Sequence, residues 1–224
     1  MSGFLRPVLA LLWKDILLET RSKDFVVAVL VFSVLVIVVF NFAIEITPHT
    51  AVLVAPGVLW VAILFGGVLG LTRSVGAEME SGNLHGLLLA PVGRDAIFFG
   101  KVASNLLFML LVEVLVFPVF AVMFNLPIAE PGLIVIAVLA TLGIATVGTV
   151  FAAIAASTRA REVMLPLLFF PVALPAIVAA VEATGLLLGD GSLGDTARWI
   201  VLLVAFDAVF LVVAPLAFKL VIEE

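Results

Sequence analysis

The chain has no cysteine and no tyrosine, and it has only two histidines, His49 and His85. Without cysteine it can form no disulfide framework, no thiolate metal site and no covalent thioether attachment to a cofactor. The two histidines lie far apart in the sequence, so they do not form a self-contained metal site. The sequence therefore predicts that this chain alone binds no metal and no cofactor, and that it has no catalytic cysteine.

Charged residues are also scarce, at 12% of the 224 residues, while 65% are hydrophobic and the mean hydropathy is +1.39. A soluble domain has about 45–50% apolar and about 25% charged residues. This chain has half the charge and a much larger apolar fraction, so we interpret it as a polytopic membrane protein surrounded by lipid. The same composition excludes a disordered chain, a coiled coil and a nucleic-acid-binding protein.

Six apolar stretches are long enough to cross a membrane, because a hydrocarbon core of ~30 Å requires about 20 helical residues. These stretches are continuously apolar, without the alternation of a barrel strand, so we predict helices. The predicted fold is an all-α polytopic membrane protein with a single transmembrane domain over residues 1–224. The predicted spans cover about 25–44, 51–72, 97–126, 132–157, 163–188 and 199–218.

The distribution of lysine and arginine predicts the topology. With six spans, ten of the eleven cations fall on one side of the membrane, and only Arg198 falls on the other. By the positive-inside rule both termini are then cytoplasmic. The outer connection over 182–198 contains four glycines, and we expect it to form an irregular outer cap or a partly re-entrant element.

The segment before the first span has an amphipathic pattern. Apolar residues recur at helical spacing over 4–20, with Lys14, Asp15 and Glu19 among them. We expect residues 1–24 to form a helix in the cytoplasmic interface, although a frayed leader is the plain alternative. Because tyrosine is absent, interfacial anchoring is assigned to Trp13, Trp60 and Trp199.

The connection between the second and third spans is too long and too patterned for a simple hairpin. Glutamates and a Ser-Gly pair are followed by a leucine-rich run that ends at a proline. Such a run is too short to span, but it can form an amphipathic helix on which another protein docks. The predicted partner-binding residues are Glu78, Glu80, Gly82, Leu84, Leu87, Leu88 and Pro91. His85 lies among them, and we expect it to be a plain surface residue or a partner contact.

Three polar residues lie inside the predicted spans: Asn105, Glu113 and Asp207. An ionised carboxylate there costs roughly 2.5–3.5 kcal/mol or more. One interpretation places Glu113 and Asp207 on a polar interior or a dimer seam, protonated or bonded to Asn105, Thr141 or Thr146. The other treats them as satisfied packing contacts without a role in transport, and the sequence leaves both open.

The connection between the second and third spans, with the start of the third span, contains the series Glu78, Glu80-Ser-Gly, Leu87-Leu-Leu-Ala-Pro91, Arg94 and Gly100-Lys101. This series resembles the signature of ABC-2-type permeases. Together with six spans and the leader Leu12-Trp13-Lys14-Asp15-Ile16, it makes the whole chain similar to the CcmB family of cytochrome c maturation. The resemblance implies an ABC-2, or type V exporter-like, fold in a bacterial inner membrane.

The resemblance also implies partners. Permeases of this family dimerise and pair with a separate CcmA-like ATPase, together with CcmC-like and CcmD-like membrane proteins and a CcmE-like haem chaperone. Residues 78–91 would then dock on the ATPase, and haem or the haem-bearing chaperone would be the cargo. The chain has no GxxxxGK[ST] phosphate loop, which agrees with a non-catalytic subunit whose partner binds ATP. His49 in an outer connection is expected to be solvated, with haem ligation as the less favoured alternative.

Two other functions remain open from the residues. One is an ABC-2 permease for another substrate, and the other is a proton-linked secondary carrier that uses Glu113 and Asp207. An intramembrane enzyme is disfavoured, because the sequence contains no HExxH, GxSxG or paired intramembrane aspartate motif.

Overall fold

The structure is a computed structural model, which describes residues 2–21, 23–45, 47–80, 92–126, 130–156, 158, 161–189 and 191–223. Over these residues it contains seven α-helices and no strand. The helices are α1 (Ser2–Arg21), α2 (Lys23–Ala43), α3 (Pro48–Glu80), α4 (Arg94–Phe124), α5 (Pro131–Ala156), α6 (Arg161–Leu188) and α7 (Leu193–Glu223).

Helices α2 to α7 are each long and apolar enough to cross a membrane, which confirms the six predicted spans. The predicted boundaries agree closely for α2, α5 and α6, whereas α3 and α7 extend several residues beyond them. Hydropathy detects only the part of a helix that lies in hydrocarbon, so the polar ends of these two helices were not predicted. The protein is a multi-pass membrane protein.

Helix α5 is the centre of the bundle, and it packs against α3, α4, α6 and α7. Its small residues permit close approach: an added Cβ at Gly148 would collide with the side chain of Leu71 on α3. Helices α2 and α7 lie at the periphery, where stripes of valine and leucine face outward. The best-buried part of the chain is therefore formed by α5 and α3, and the outer helices present apolar surfaces to lipid.

Three glycines of α3, Gly66, Gly67 and Gly70, pack against neighbouring helices of the same chain. A Cβ added at Gly66 would lie 3.0 Å from the Ser33 hydroxyl on α2, and one at Gly67 would lie 2.5 Å from Met109 Cε on α4. Gly70 meets Phe108 of α4 in the same way, at 2.5 Å. The GxxxG spacing of Gly66 and Gly70 thus brings α2 and α4 close to α3, and it is used inside one chain.

The prediction of an irregular outer element over 182–198 was wrong. Helix α6 continues to Leu188, and α7 begins at Leu193. Gly185 lies within helix α6, where an added Cβ would be in ordinary van der Waals contact with Pro56 of α3, at 3.6 Å from the proline Cγ. Ser192 then starts α7, since its backbone N–H and hydroxyl both donate to Asp195 Oδ2, at 2.7 and 3.0 Å. In return the backbone N–H of Asp195 donates to the Ser192 hydroxyl at 3.4 Å. The two reciprocal backbone N–H bonds form a capping box with aspartate in place of glutamate.

The assignment of Trp60 as an interfacial anchor was also wrong. Trp60 is only 1% exposed, and its indole N–H donates to Thr184 Oγ1 of α6 at 3.0 Å. Trp13 is 63% exposed on α1, which agrees with an interfacial position. Trp199 is half-buried, and the guanidinium of Arg198 lies 5.1 Å from its ring centroid. Hydropathy cannot distinguish a tryptophan near a membrane surface from one that faces a neighbouring helix.

Candidate functional site

Helix α1 is tied to the beginning of α4. The ammonium of Lys101 donates to Asp15 Oδ2 at 2.9 Å, and Leu11 packs on Gly100, where an added Cβ would lie 2.9 Å from the leucine Cβ. The ring of Phe4 meets Phe99 edge-on, with 6.0 Å between centroids. Residues 4–20 therefore form a packed helix, which rejects the alternative of a frayed leader.

The end of α7 reaches the same part of α4. Lys219 Nζ lies 2.8 Å from Asp95 Oδ1, and the rings of Phe98 and Phe218 lie 5.2 Å apart. Helix α1, the start of α4 and the end of α7 consequently meet at one end of the bundle. We call this region the basal cluster, defined by the ion pairs Asp15–Lys101 and Asp95–Lys219. It places Lys101 and Lys219 at one end, as the topology prediction requires.

Most of the predicted docking residues lie outside the described residues. Glu78 and Glu80 belong to the last turn of α3, and their side chains are not described. Gly82, Leu84, His85, Leu87, Leu88 and Pro91 fall in 81–91, which the structure leaves out. The description resumes at Val92, two residues before α4 begins in the basal cluster. The docking role of this segment therefore stays a prediction.

Two side-chain hydrogen bonds, which we call the polar rungs, join α4 to α5. The Asn105 amide donates to Thr149 Oγ1 at 2.9 Å, and the Thr141 hydroxyl donates to Glu113 Oε1. Asn105 and Glu113 are eight residues apart on α4. Their partners Thr149 and Thr141 are also eight residues apart on α5 but in the reverse order, as an antiparallel helix pair requires. Eight residues correspond to about 12 Å along a helix, so the two rungs fix the register of α4 against α5. Sequence reasoning named Asn105 and Glu113 but missed Thr149, although the matched eight-residue spacing was a usable signal.

Glu113 lines a groove between α4 and α5. Glu113 is only 3% exposed, and its Oε2 has no hydrogen-bond partner among the described residues. The groove has a volume of about 280 Å³. Apart from Glu113 its walls are apolar, and they comprise Leu110, Val114, Phe117, Pro118, Leu133, Ile134, Ala137 and Val138.

Asp207 occupies a different position. It is buried against Gly143, where an added Cβ would lie 2.6 Å from Asp207 Oδ1, and neither carboxyl oxygen has a partner within the described part of the chain. Asp207 therefore does not bond to Asn105, Thr141 or Thr146; Thr146 donates instead to the Leu142 carbonyl at 2.7 Å. Thr141 and Gly143 are two residues apart, about 200° around α5, so Glu113 and Asp207 approach this helix from different sides.

Over the described residues no group of three histidine, cysteine, aspartate or glutamate side chains is placed to hold a metal ion. His49 lies in the first turn of α3, and its side chain is outside the description. The described residues provide the two polar rungs between α4 and α5, a groove lined by Glu113 and apolar side chains, and the basal cluster.

Over the described residues, six spans with a packed N-terminal helix have the architecture of a polytopic helical membrane protein. A family model described as "CcmB protein" matches residues 6–224. Because this match covers nearly the whole chain, the protein belongs to the CcmB family.

Individual relatives agree with the family match. The chain is 30% identical over 210 residues to "Heme exporter protein B" of Paracoccus denitrificans, which covers 93% of this chain and 94% of the relative. It is 29% identical to the protein of the same name from Rhodobacter capsulatus, over 77% of this chain and 80% of the relative. The protein of that name from Bradyrhizobium diazoefficiens is 26% identical over 93% of both chains.

Proposed function

We propose that this chain is the membrane subunit of an ATP-driven haem-export complex that serves c-type cytochrome biogenesis. The observation that carries the proposal is the family match over 6–224, together with relatives named "Heme exporter protein B", one of which aligns over 93% of this chain. On this proposal the chain is a non-catalytic subunit that binds no cofactor, a partner ATPase binds ATP, and haem or a haem-bearing chaperone is the cargo. The location is the bacterial inner membrane, with both termini in the cytoplasm.

The basal cluster supports a route for coupling. If the ATPase docks on residues 78–91, the described elements that its movement would displace directly are the end of α3 and the start of α4. Lys101 ties that start to α1, and Asp95 ties it to α7. Movement of the start of α4 would therefore also move α1 and α7. The hydrogen bonds of Asn105 and Glu113 would transmit that movement to α5.

The proposed partners are a CcmA-like ATPase, CcmC-like and CcmD-like membrane proteins, a CcmE-like haem chaperone and a second copy of this chain. The test is purification of the tagged chain from its native membranes in mild detergent, followed by mass spectrometry and a haem absorption spectrum. Recovery of an ATPase with the other components and haem would support the full proposal. Recovery of an ATPase alone would retain an ATP-driven permease and remove haem, and recovery of no ATPase would overturn the coupling.

The competing carrier function needs Glu113 and Asp207 to act together in proton transfer. Their positions on different sides of α5 argue against one shared proton site. We therefore place the ATP-driven function first.

A further inference from the structure

The buried apolar side chains of the described residues form two separate hydrophobic cores. The main core runs through the bundle, with side chains from α2 to α7. The basal core lies in the basal cluster and comprises Leu11, Ile97, Phe98, Val102, Val150, Ala214 and Phe218. Among the buried side chains of α5 only Val150 belongs to the basal core, whereas Ala152 and Ala155 belong to the main core. The basal cluster therefore has a core of its own, formed chiefly by α1, α4 and α7.

Helices α4 and α7 both pass from one core to the other. On α4, Val102 belongs to the basal core, and Leu106 packs against the main core. On α7, Phe210 packs against the main core, and Ala214 belongs to the basal core. Each helix therefore changes from one core to the other within about one helical turn.

The two changes occur at the same level of the bundle. The rings of Phe98 and Phe218 lie 5.2 Å apart in the basal core and mark one level. Val102 follows Phe98 by four residues, and Ala214 precedes Phe218 by four residues, so each lies about 6 Å along its helix from that level. Because α4 leaves the basal cluster while α7 runs into it, both separations point towards the main core.

Both helices carry a weakened backbone at this level. Pro215 on α7 has no N–H, so the carbonyl of Leu211 lacks its usual helical donor. On α4, the hydroxyl of Ser104 donates to the carbonyl of Gly100 at 2.9 Å. Such a bond competes with the backbone ladder and often bends a helix, and sharp helix kinks occur at prolines and at Gly/Ser pairs. We call residues 100–104 of α4 and 211–215 of α7 the joints.

Different partners fix α4 on the two sides of its joint. Before the joint, Asp95 pairs with Lys219 of α7 at 2.8 Å. Directly after it, Asn105 donates to Thr149 of α5, which is the first polar rung. The start of α4 is thus fastened to α7 and its remainder to α5, so the joint is where the two parts of α4 can change their relative angle.

We propose that the basal cluster tilts as one body against the rest of the bundle, about the joints in α4 and α7. Helix α1 moves with it, because Asp15 is bonded to Lys101 and Leu11 packs on Gly100. The part of a displacement that the tilt does not absorb reaches Asn105, and the polar rungs pass it to α5. The inference goes beyond the proposed function, since the tilt belongs to this chain and needs no ATP and no cargo.

The absence of cysteine permits a direct measurement of the tilt with pairs of spin labels. The label sites are all exposed: Leu9 at 59%, Ile134 at 66%, Val209 at 56% and Leu220 at 68%. The pair Leu9→Cys with Ile134→Cys crosses the joints, whereas Leu9→Cys with Leu220→Cys lies within the basal cluster and Ile134→Cys with Val209→Cys lies outside it. Each tagged double variant is reconstituted in lipid nanodiscs with an excess of unlabelled chain, so that a second copy contributes no spin.

Distance distributions from double electron–electron resonance should separate the three pairs. The pair across the joints should give a distribution at least about twofold wider than either reference pair, or two resolved distances. Ser104→Ala with Pro215→Ala removes the competing hydroxyl and restores the missing N–H, so it should narrow that distribution to the width of the references. Ser104→Ala alone should narrow it in part, which keeps the test valid if the double variant does not fold.

The matched control is Thr146→Ala with Pro171→Ala. It removes the same kind of hydroxyl bond from α5, where Thr146 donates to the Leu142 carbonyl, and an exposed proline from α6, both away from the joints. The distribution across the joints should keep its width in this control.

The proposal is overturned by any of three results. The first is a pair across the joints whose distribution is as narrow as those of the references. The second is a pair within the basal cluster that is as broad as the pair across the joints, because the cluster would then not move as one body. The third is a width that Ser104→Ala and the double variant leave unchanged, or that the control variant narrows equally. No readout involves an ATPase or haem, so failure here is distinguishable from failure of the proposed function.

Discussion

Lys101 and Asp15 form an ion pair between residues 86 positions apart, with Lys101 Nζ donating to Asp15 Oδ2 at 2.9 Å. The lysine side chain is 5% exposed and the aspartate side chain 13%, so the pair is largely withdrawn from solvent. Lys14 approaches the other oxygen of the same carboxylate, at 3.2 Å, but it is 36% exposed. Asp15 thus holds α1 against the start of α4, the helix that follows the predicted ATPase-docking segment in the sequence.

Replacing Asp15→Asn should loosen α1, because it removes the carboxylate that neutralises a buried ammonium. Loss of one member of a buried ion pair costs up to about 3–5 kcal/mol. Thermal unfolding in mild detergent should show lower stability, and trypsin should cleave faster after Arg21. The control Lys14→Gln should change stability by less than about 1 kcal/mol, because that lysine is more exposed.

The double variant Asp15→Asn with Lys101→Met completes this test. It removes the buried ammonium together with the carboxylate that faces it, so most of the lost stability should return. If the double variant is as unstable as Asp15→Asn alone, the ion pair does not hold α1 in place.

The sequence predicted the spans because their signal is length and apolarity, which each segment carries by itself. It predicted α1 for the same reason, since the amphipathic spacing around Leu9 and Trp13 lies within that one helix. It did not predict that Lys101 pairs with Asp15, or that Thr149 receives the Asn105 amide. These contacts depend on which faces of two helices meet, and a continuously apolar helix carries little information about its faces. Trp60 was placed wrongly for this reason.

Gly143 provides a test of how Asp207 is accommodated. A methyl group at Gly143 would lie 2.6 Å from Asp207 Oδ1 and 3.0 Å from Phe206 Cδ1. Gly143→Ala should therefore destabilise the bundle by about 1–3 kcal/mol, as overpacking of a core does. The matched control is Gly57→Ala on α3, where nothing lies within 4 Å of the added Cβ. That change should be neutral, or stabilising by up to about 1 kcal/mol through helix propensity.

A second substitution, at Asp207, tests whether the destabilisation by Gly143→Ala comes from contact with the Asp207 carboxyl. Gly143→Ala should cost less when Asp207 is replaced by alanine, because the clashing carboxyl oxygen is gone. Equal costs in the two backgrounds, measured by thermal unfolding, would mean that the close approach of Asp207 to α5 is incorrect.

Thr149 and Thr146 form a natural pair for testing the polar rungs. Both hydroxyls donate to a carbonyl of α5, but only Thr149 also accepts from the Asn105 amide of α4, at 2.9 Å. Thr149→Val should therefore lower stability by roughly 0.6–2 kcal/mol, the range found for interhelical hydrogen bonds in membranes. Thr146→Val should cost less, and Thr149→Ser should preserve the wild-type melting temperature. Equal effects of the two valine substitutions would exclude an interhelical contribution.

Charge placed in the predicted docking segment tests the proposed function most directly. Leu87→Glu or Leu88→Glu should release the ATPase, because a carboxylate on an apolar docking surface would have to be buried without a partner. Residues 81–91 lie outside the spans, so the variant should still be inserted and should elute as the wild type does. The measurements are ATPase recovered with the tagged chain, and ATP hydrolysis stimulated by it in reconstituted membranes. Glu130→Gln, which alters charge at the opposite end of the bundle beside α5, is the matched control and should leave both unchanged. A Leu87→Glu complex that keeps its ATPase and its stimulated hydrolysis would remove residues 78–91 from the coupling route, whatever cargo the complex carries.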